Sequence, residues 1–321
     1  MGAEADLKLA GYAFYQTRIW DAPAVLLNLV VMGWCLGREQ GRGVMLLSLV
    51  GNGSNVALNY LFIRQWGWAS AGAGLATALS QYLMLAVGLG IVRTALDRET
   101  LARLLPQLWQ GEKLRQILSL NRDILIRTSV LILSFALFAR VSATLGSLML
   151  AANTLLLQVV TLSAYFIDGI AFATESFAGR CYGTGDRQGL GSLLRLGSLL
   201  SLLLGLGFAA IFISFPQALF GLLTSHAEVI TQVRSLRGWL GPVLAFGAIA
   251  YLLDGFFLGL TARTILRNGT LLAGILGFLP LALITQEIAS PHLLWLALTA
   301  LMAGRALTLA GAVPRWLSSK P

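Results

Sequence analysis

Ionisable and reactive side chains are scarce in this sequence. Charged residues make up only 12% of the 321 residues, and there are two cysteines and two histidines. Cys35 and Cys181 have no neighbour at a spacing typical of a disulfide framework or a zinc site, and His226 and His292 are solitary. The sequence also has no phosphate-binding loop and no nucleophile elbow. These absences argue against an enzyme, a transport ATPase and a bound metal or organic cofactor.

Apolar residues dominate instead. They account for 57% of the chain, and the mean hydropathy is +0.77. A bilayer core about 30 Å thick requires roughly 20 apolar residues at a helical rise of about 1.5 Å. Segments of about that length predict an all-α polytopic membrane protein with about nine transmembrane helices, near residues 19–37, 44–63, 69–92, 124–146, 150–173, 192–214, 238–260, 268–286 and 292–313.

The basic residues are unevenly distributed between the two ends of these segments. The formal net charge is +9, and if the loop after the first segment is cytoplasmic, that side collects all but six of the 23 Lys and Arg residues. The six are Lys8, Arg18, Arg64, Arg140, Arg234 and Arg237. This positive-inside bias explains the basicity without a nucleic-acid partner. It predicts a multi-pass protein of the plasma or inner membrane with a cytoplasmic C-terminus, and it counts Arg127 and Arg305 among the cytoplasmic charges.

Two segments share an order of Arg, Pro, Gly, Gly and Arg. The residues are Arg18, Pro23, Gly33, Gly37 and Arg38 in the first, and Arg237, Pro242, Gly255, Gly259 and Arg263 in the seventh. If the last three helices repeat the first three, the chain is nine helices of a two-fold repeat of six plus six. Paired halves with the substrate path between them are common among transporters.

This repeat divides the chain into three parts. Residues 1–92 are the last three helices of a first lobe, residues 93–121 are a linker, and residues 122–321 are a six-helix second lobe. The linker has one helical stripe of leucines, Leu101, Leu104, Leu105 and Leu108. Such a stripe is typical of an amphipathic helix on the cytoplasmic membrane surface, and a partner-binding arm is the alternative.

A single carboxylate stands out in the seventh segment. Asp254 lies in an apolar run, and no charged residue is closer to it in the sequence than Arg237 and Arg263. A carboxylate inside a membrane helix costs at least about 2.5 kcal/mol, so it usually faces a bundle interior or a water-filled path. Asp254 is therefore the first candidate for a cation- or substrate-binding residue. The alternative is a buried carboxyl group with a structural role.

The fifth segment carries further polar candidates. Asp168 and Glu175 are seven residues apart, about two helical turns, so both project from the same face. Glu175 lies near the predicted cytoplasmic end, where an interfacial role is an equally good interpretation. Asn153, Gln158 and Tyr165 can add polar contacts to a bound cation or substrate.

Comparable polar groups in the first half are amides. Asn55 and Asn59 are four residues apart and share one helix face, but amides bind through hydrogen bonds and do not titrate. A carboxyl group can carry a proton, because burial raises the pKa of such a group toward the physiological range. Na⁺ or a cationic substrate competes for the same anion. The pattern therefore predicts H⁺ or Na⁺ as a coupling ion.

Long stretches of the chain resemble the multidrug and toxic compound extrusion (MATE) family, in particular its DinF-like branch. They are LAANTLLLQVVTLSAYFIDGIAFATESFAGRCYGTGDR (Leu150–Arg187) and YLLDGFFLGLTARTILRN (Tyr251–Asn268), with RIWDAP (Arg18–Pro23), GWCLGREQ (Gly33–Gln40) and Asn55–Ile63 in support. The resemblance covers nearly the whole chain. It implies twelve helices in two six-helix lobes, and H⁺- or Na⁺-driven export of cationic or amphipathic compounds by rocking between inward- and outward-open states.

The chain departs from the family pattern in its first lobe. Matched to the pattern, it begins at the fourth helix and lacks the first three, one of which carries an Asp of the first-lobe cation site. Where the family has Asn-x3-Asp, this sequence has Asn55 and Asn59, so an amide replaces the titratable partner. The second-lobe positions Asp168, Glu175 and Asp254 match the pattern as they stand.

The resemblance and the carboxylates together favour a cation-coupled antiporter for small cationic or amphipathic compounds. We expect an N-terminally incomplete chain, and a complementary chain is the partner that could supply the missing helices. One alternative is a flippase for lipid-linked intermediates from the same superfamily, and another is a remnant or assembly subunit that transports nothing. A flippase cavity should be cationic, so intramembrane charges that are mainly acidic favour the antiporter.

Overall fold

A computed structural model describes residues 2–95 and 111–318 of the chain. Nearly all of this backbone is helical, and nine of its helices are long and apolar enough to cross a bilayer. The prediction of an all-α polytopic membrane protein is confirmed. We number these helices as spans 1 to 9, which are Leu9–Gly37, Gly41–Gln65, Ala69–Ala95, Asn121–Thr144, Ser147–Thr184, Arg187–Ser214, Ala227–Gly259, Arg263–Ile288 and Pro291–Leu317.

The chain folds as two compact units, Met1–Lys113 and Leu114–Pro321. The predicted linker, residues 93–121, overlaps the boundary between them. Its leucine stripe lies in residues 96–110, outside the described residues. The helix that contains span 4 begins at Gly111, ten residues before the span itself.

The described part of the first unit, residues 2–95, contains four α-helices, Gly2–Arg18, Ala22–Gly37, Gly41–Asn59 and Ala69–Ala95. The last of these packs against the other three. Its packing face is built from small buried residues, Gly72, Gly74, Ala76, Ala78 and Ser80. Small side chains let helix backbones approach closely, so van der Waals contact can hold the unit together where apolar burial from water is not available.

The second unit contains nine α-helices, Gly111–Thr144, Ser147–Thr184, Arg187–Ser214, Pro216–Gly221, Ala227–Leu236, Leu240–Gly259, Arg263–Leu272, Leu279–Ile288 and Pro291–Ser318. Span 7 is the most buried of the nine spans, with 67% of its most apolar window inside the protein. It packs against spans 5, 6 and 9. A polar group in the middle of span 7 is therefore surrounded by protein on most sides.

Two glycines explain how span 7 approaches span 5 so closely. A Cβ atom on Gly255 would overlap the backbone carbonyl of Ala171, and one on Gly259 would overlap the carbonyl of Glu175. The Gly-x3-Gly spacing on span 7 therefore permits the close approach that its sequence predicts. The same spacing on span 1 has no such effect among the described residues, because a Cβ on Gly33 or Gly37 meets none of their atoms within 4 Å.

Span 5 is longer than its apolar run predicts. The predicted segment ends at residue 173, whereas the helix continues to Thr184. It ends where Gly185 adopts a left-handed conformation (φ 72°) and donates its N–H to the carbonyls of Cys181 and Tyr182. Helices commonly stop at such a glycine because no Cβ opposes positive φ. Glu175 therefore lies inside the helix rather than at its end.

Candidate functional site

Asp254 on span 7 is bound by arginines from two other spans. Its Oδ2 accepts hydrogen bonds from Nη2 of Arg127 on span 4 and from Nη2 of Arg305 on span 9. Asp254 is 5% exposed and Arg305 is 1% exposed, and the side chain of Arg127 is 15% exposed. One carboxylate oxygen thus joins three spans, and we call these three residues the Asp254 junction.

Burial makes the Asp254 junction both strong and sensitive to change. Moving an ion out of water costs several kcal/mol, and a partner charge offsets this cost only when the geometry is good. Removing one member of a buried ion pair therefore costs about 3–5 kcal/mol, because the remaining charge is left uncompensated. Any change that neutralises Asp254 acts on both arginines at once.

Some polar atoms of the Asp254 junction are not used in the ion pairs. Arg305 places Nη1 3.5 Å from the Sδ of Met302, and its guanidinium carbon lies 5.3 Å from the ring centroid of Tyr251. Within the described residues, Oδ1 of Asp254 and Nε of both arginines are buried and have no hydrogen-bond partner. Buried polar atoms are nearly always paired, so unpaired acceptor and donor atoms at one junction point to a polar ligand or a coupled ion.

The structure brings the candidate Asp168 to this junction. Asp168, on span 5, is partly buried and lies within electrostatic range of Asp254, Arg127 and Arg305. Two carboxylates and two guanidiniums then balance in charge when all four are ionised. Glu175, two turns along the same span, is partly buried, and its backbone carbonyl packs against Gly259.

Asn153 lies elsewhere, in a buried network between spans 4, 5 and 9. Its Nδ2 donates to Oγ of Ser142 (2.9 Å), and its Oδ1 accepts from Nε1 of Trp295 (2.9 Å). Asn153 is 1% exposed and Trp295 is fully buried. The amide is therefore engaged by the protein at both of its polar atoms.

Gln158 and Tyr165 lie on an exposed face of span 5. They line a groove of about 360 Å³ together with Val159, Thr161, Leu162, Phe212 and Leu223. Tyr165 is 70% exposed, so its ring and hydroxyl are accessible from the groove. An apolar wall with a few polar groups is typical of sites that hold small organic molecules.

Asn55 and Asn59 form a short hydrogen-bonded chain within the first unit. Nδ2 of Asn59 donates to Oδ1 of Asn55 (3.0 Å), and Nδ2 of Asn55 donates to Oγ1 of Thr77 (3.3 Å). A second amide, Asn28, is 3% exposed and donates to both the backbone and side-chain oxygens of Gln81. Asn28 is not among the predicted site residues, although it is a polar residue within an apolar run.

Known proteins place the chain in a family. Over 314 residues it is 36% identical to the DNA damage-inducible protein F of Escherichia coli, which covers 96% of this chain and 67% of that protein. The chain belongs to the MATE family. The MatE family model matches residues 124–281, and the multidrug resistance protein NorM of Aliivibrio fischeri is 25% identical over 244 residues, 74% of this chain and 52% of NorM. The chain spans about two thirds of the Escherichia coli protein and about half of NorM.

Solved MATE structures share this fold. An outward-facing multidrug resistance MATE transporter of the MOP superfamily superposes with a TM-score of 0.84 at 20% identity, over 96% of this chain and 70% of that one. A MOP superfamily transporter from Pyrococcus furiosus gives 0.81 at 20% identity, over 95% and 68%, and its binding pocket is described as having reverse polarity. At such identities the likeness shows the fold, which in MATE transporters is a two-lobe arrangement of twelve helices.

Two arginines that the charge count of this MATE chain assigns to the cytoplasmic side pair with Asp254. Arg127 and Arg305 lie inside spans 4 and 9 and not in cytoplasmic loops. The charges around Asp254 are therefore not mainly acidic. Arg305 could have been recognised from its sequence position, because apolar runs flank it on both sides within the predicted segment 292–313.

Proposed function

We propose that this MATE protein exports small cationic or amphipathic compounds across the cell membrane in exchange for H⁺ or Na⁺. The observation that carries the proposal is the shared oxygen of Asp254, which links a neutralisable group to spans 4, 7 and 9. A coupling site requires such a link, because an ion shifts a conformational equilibrium only through different contacts in the two states. Membership of the MATE transporter family supports the same function.

In this proposal the coupling ion competes with the arginines for Asp254. A proton or Na⁺ at the carboxylate neutralises it, and Arg127 and Arg305 then lose their shared counter-ion. Two guanidiniums remain against Asp168, so the local charge becomes positive and the attraction that holds the three spans together weakens. Ion binding on one side of the membrane and release on the other would thereby alternate the packing of these spans.

The polar candidates take different roles in this proposal. Asp254 and Asp168 are the ion-binding carboxylates, and Glu175 extends the acidic face of span 5. Gln158 and Tyr165 contact substrate in the groove, while Asn153 joins span 5, which lines the groove, to spans 4 and 9. The amides Asn55 and Asn59 supply hydrogen bonds in the first lobe, and a complementary chain could supply further helices.

Replacing Asp254 with Asn tests the proposal. The amide keeps the size of the side chain but can neither ionise nor balance two guanidiniums. We expect ion-driven dye export from cells that express the protein to fall by a factor of about 5–150, the usual range of coupling between two sites. Glu287→Gln is the matched control, because Glu287 is an exposed carboxylate near the end of span 8. Wild-type export by D254N at a normal membrane level would overturn the assignment.

The arginines favour a second candidate function, the export of an anionic or lipid-linked intermediate. Arg127 and Arg305 place two guanidiniums at the Asp254 junction, and within the described residues their Nε donors have no partner, which suits a carboxylate or phosphate. The same cells distinguish the two functions when they are loaded with dyes of opposite charge. Preferential export of the anionic dye would favour the second candidate, and no export of either dye by the wild type would favour a non-transporting subunit.

A further inference from the structure

A second ionic cluster lies one helical turn before Arg127. Its centre is Asp123, which is only 2% exposed. Nη1 of Arg267 lies 2.8 Å from Oδ1 of Asp123, Nη2 of Arg122 lies 3.4 Å from the same oxygen, and Nε of Arg263 lies 3.8 Å from Oδ2. We call these four residues the Asp123 cluster. Three guanidiniums against one carboxylate leave an excess of two positive charges.

The three arginines differ in how many of their N–H donors are already engaged in hydrogen bonds. Arg267 donates to Asp123 and also, through Nε and Nη2, to Oδ1 of Asn268. Among the described residues, Arg122 and Arg263 contact Asp123 only at the longer distances, and their side chains are 65% and 32% exposed. A guanidinium has five N–H donors, so most donors of these two side chains remain available to a ligand.

The Asp123 cluster is at the edge of the apolar part of the protein. Asp123 and Arg122 lie at the start of span 4, and Arg263 is the first residue of span 8. Their contact shows that both spans start at the same face of the second unit. Helices of this length place their first residues near the lipid headgroups, and clusters of basic residues there attract anionic lipids.

We propose that the Asp123 cluster binds the phosphate group of an anionic phospholipid. Arg122 and Arg263 come from different helices and would donate to the phosphate from two sides, because the planar guanidinium matches the geometry of phosphate oxygens. Asp123 and Arg267 hold the site together and limit repulsion between the arginines. The site is separate from the proposed transport function, which rests on Asp254.

Thermal unfolding of the purified chain in mixed micelles tests this site. Phosphatidylglycerol should raise the unfolding temperature more than phosphatidylcholine does. Each basic residue near an anionic surface strengthens binding to the anionic lipid. Removing two of them in the double variant Arg122→Gln/Arg263→Gln should therefore weaken phosphatidylglycerol binding about 30-fold. Arg122→Lys/Arg263→Lys keeps the charge but not the planar guanidinium, and should retain only part of the effect. Unfolding temperatures in phosphatidylcholine alone report whether each variant is folded.

The control removes the same number of charges from the opposite end of the unit. Arg234 and Arg237 lie in the first turns of span 7, and Arg234→Gln/Arg237→Gln should leave the phosphatidylglycerol effect unchanged. Inorganic phosphate in place of lipid identifies the source of the ligand. If inorganic phosphate raises the unfolding temperature as much as phosphatidylglycerol does, the cluster is a phosphate site that uses soluble phosphate. An equal loss in both double variants, or no loss in either, would overturn the proposal.

Discussion

Each deeply buried aspartate of the second unit is bound by more than one arginine. Asp254 has two and Asp123 has three within contact distance. The net charge around each aspartate therefore depends on its arginines as well as on its carboxylate. At Asp254 two arginines surround one buried carboxylate, whereas at Asp123 the arginines leave positive charge at the protein surface.

The Asp254 junction predicts non-additive effects of mutation. Arg305→Gln should destabilise the protein by about 3–5 kcal/mol, because Asp254 then remains buried with a single, more exposed partner. Adding Asp254→Asn should cost less than the sum of the two single changes, by a coupling of about 0.5–3 kcal/mol. Thermal unfolding in detergent measures all three variants. Arg195→Gln, at an exposed position on span 6, is the control.

Strict additivity in that cycle would contradict the junction. It would mean that Arg305 stabilises the protein through its packing against Met302 and Tyr251 rather than through Asp254. A loss that is equally large for Arg195→Gln would point to a general effect of removing charge.

Close contact between two helices of this chain depends on which helix packs against a glycine motif as much as on the motif itself. Span 1 and span 7 carry the same Gly-x3-Gly spacing, but in the part of the chain that the structure describes only span 7 presents it to a neighbouring backbone. The spacing places both glycines on one face of a helix, and this much can be predicted from sequence. Which helix packs against that face depends on tertiary arrangement.

The two motifs allow a matched pair of substitutions. Gly255→Ala should destabilise the second unit by about 1–3 kcal/mol, because the new Cβ overlaps the carbonyl of Ala171 and forces spans 5 and 7 apart. Gly33→Ala should have little effect or stabilise slightly, since nothing lies within 4 Å and alanine favours helix. The fraction of protein that remains folded in detergent after heating measures the effect of both substitutions. Equal effects would contradict the packing described for Gly255.

At the scale of the whole molecule, the sequence predicts the spans well and the site only in part. Apolar runs determine nine spans because a bilayer tolerates few other structures. Asp254 is predictable because a lone carboxylate is costly in such a run. Arg127 is not, because it lies close to a basic loop, and its contact with Asp254 joins residues 127 positions apart. Long-range pairing of this kind leaves no periodic signal in one sequence.

The distribution of basic residues predicts how the chain is oriented. A green fluorescent protein fused after Pro321 should fluoresce, because the C-terminus is expected in the cytoplasm. The same reporter inserted after Thr224, between spans 6 and 7, should remain dark, and one inserted after Gly185 should fluoresce. The reporter folds well only in the cytoplasm. Fluorescence of the Thr224 insertion alone would reverse the predicted topology.

Span 4 carries alternating charge along one face, and this limits how it can move. Asp123 and Arg127 are four residues apart, about 6 Å along the helix, and each pairs with opposite charges on other spans. Sliding span 4 by one turn in one direction would bring Asp123 toward Asp254, and sliding it the other way would bring Arg127 toward Arg267. Like charges would meet in both cases. These like-charge contacts therefore oppose a one-turn shift of span 4 along its own axis. Any large motion of span 4 must then tilt it together with its partners.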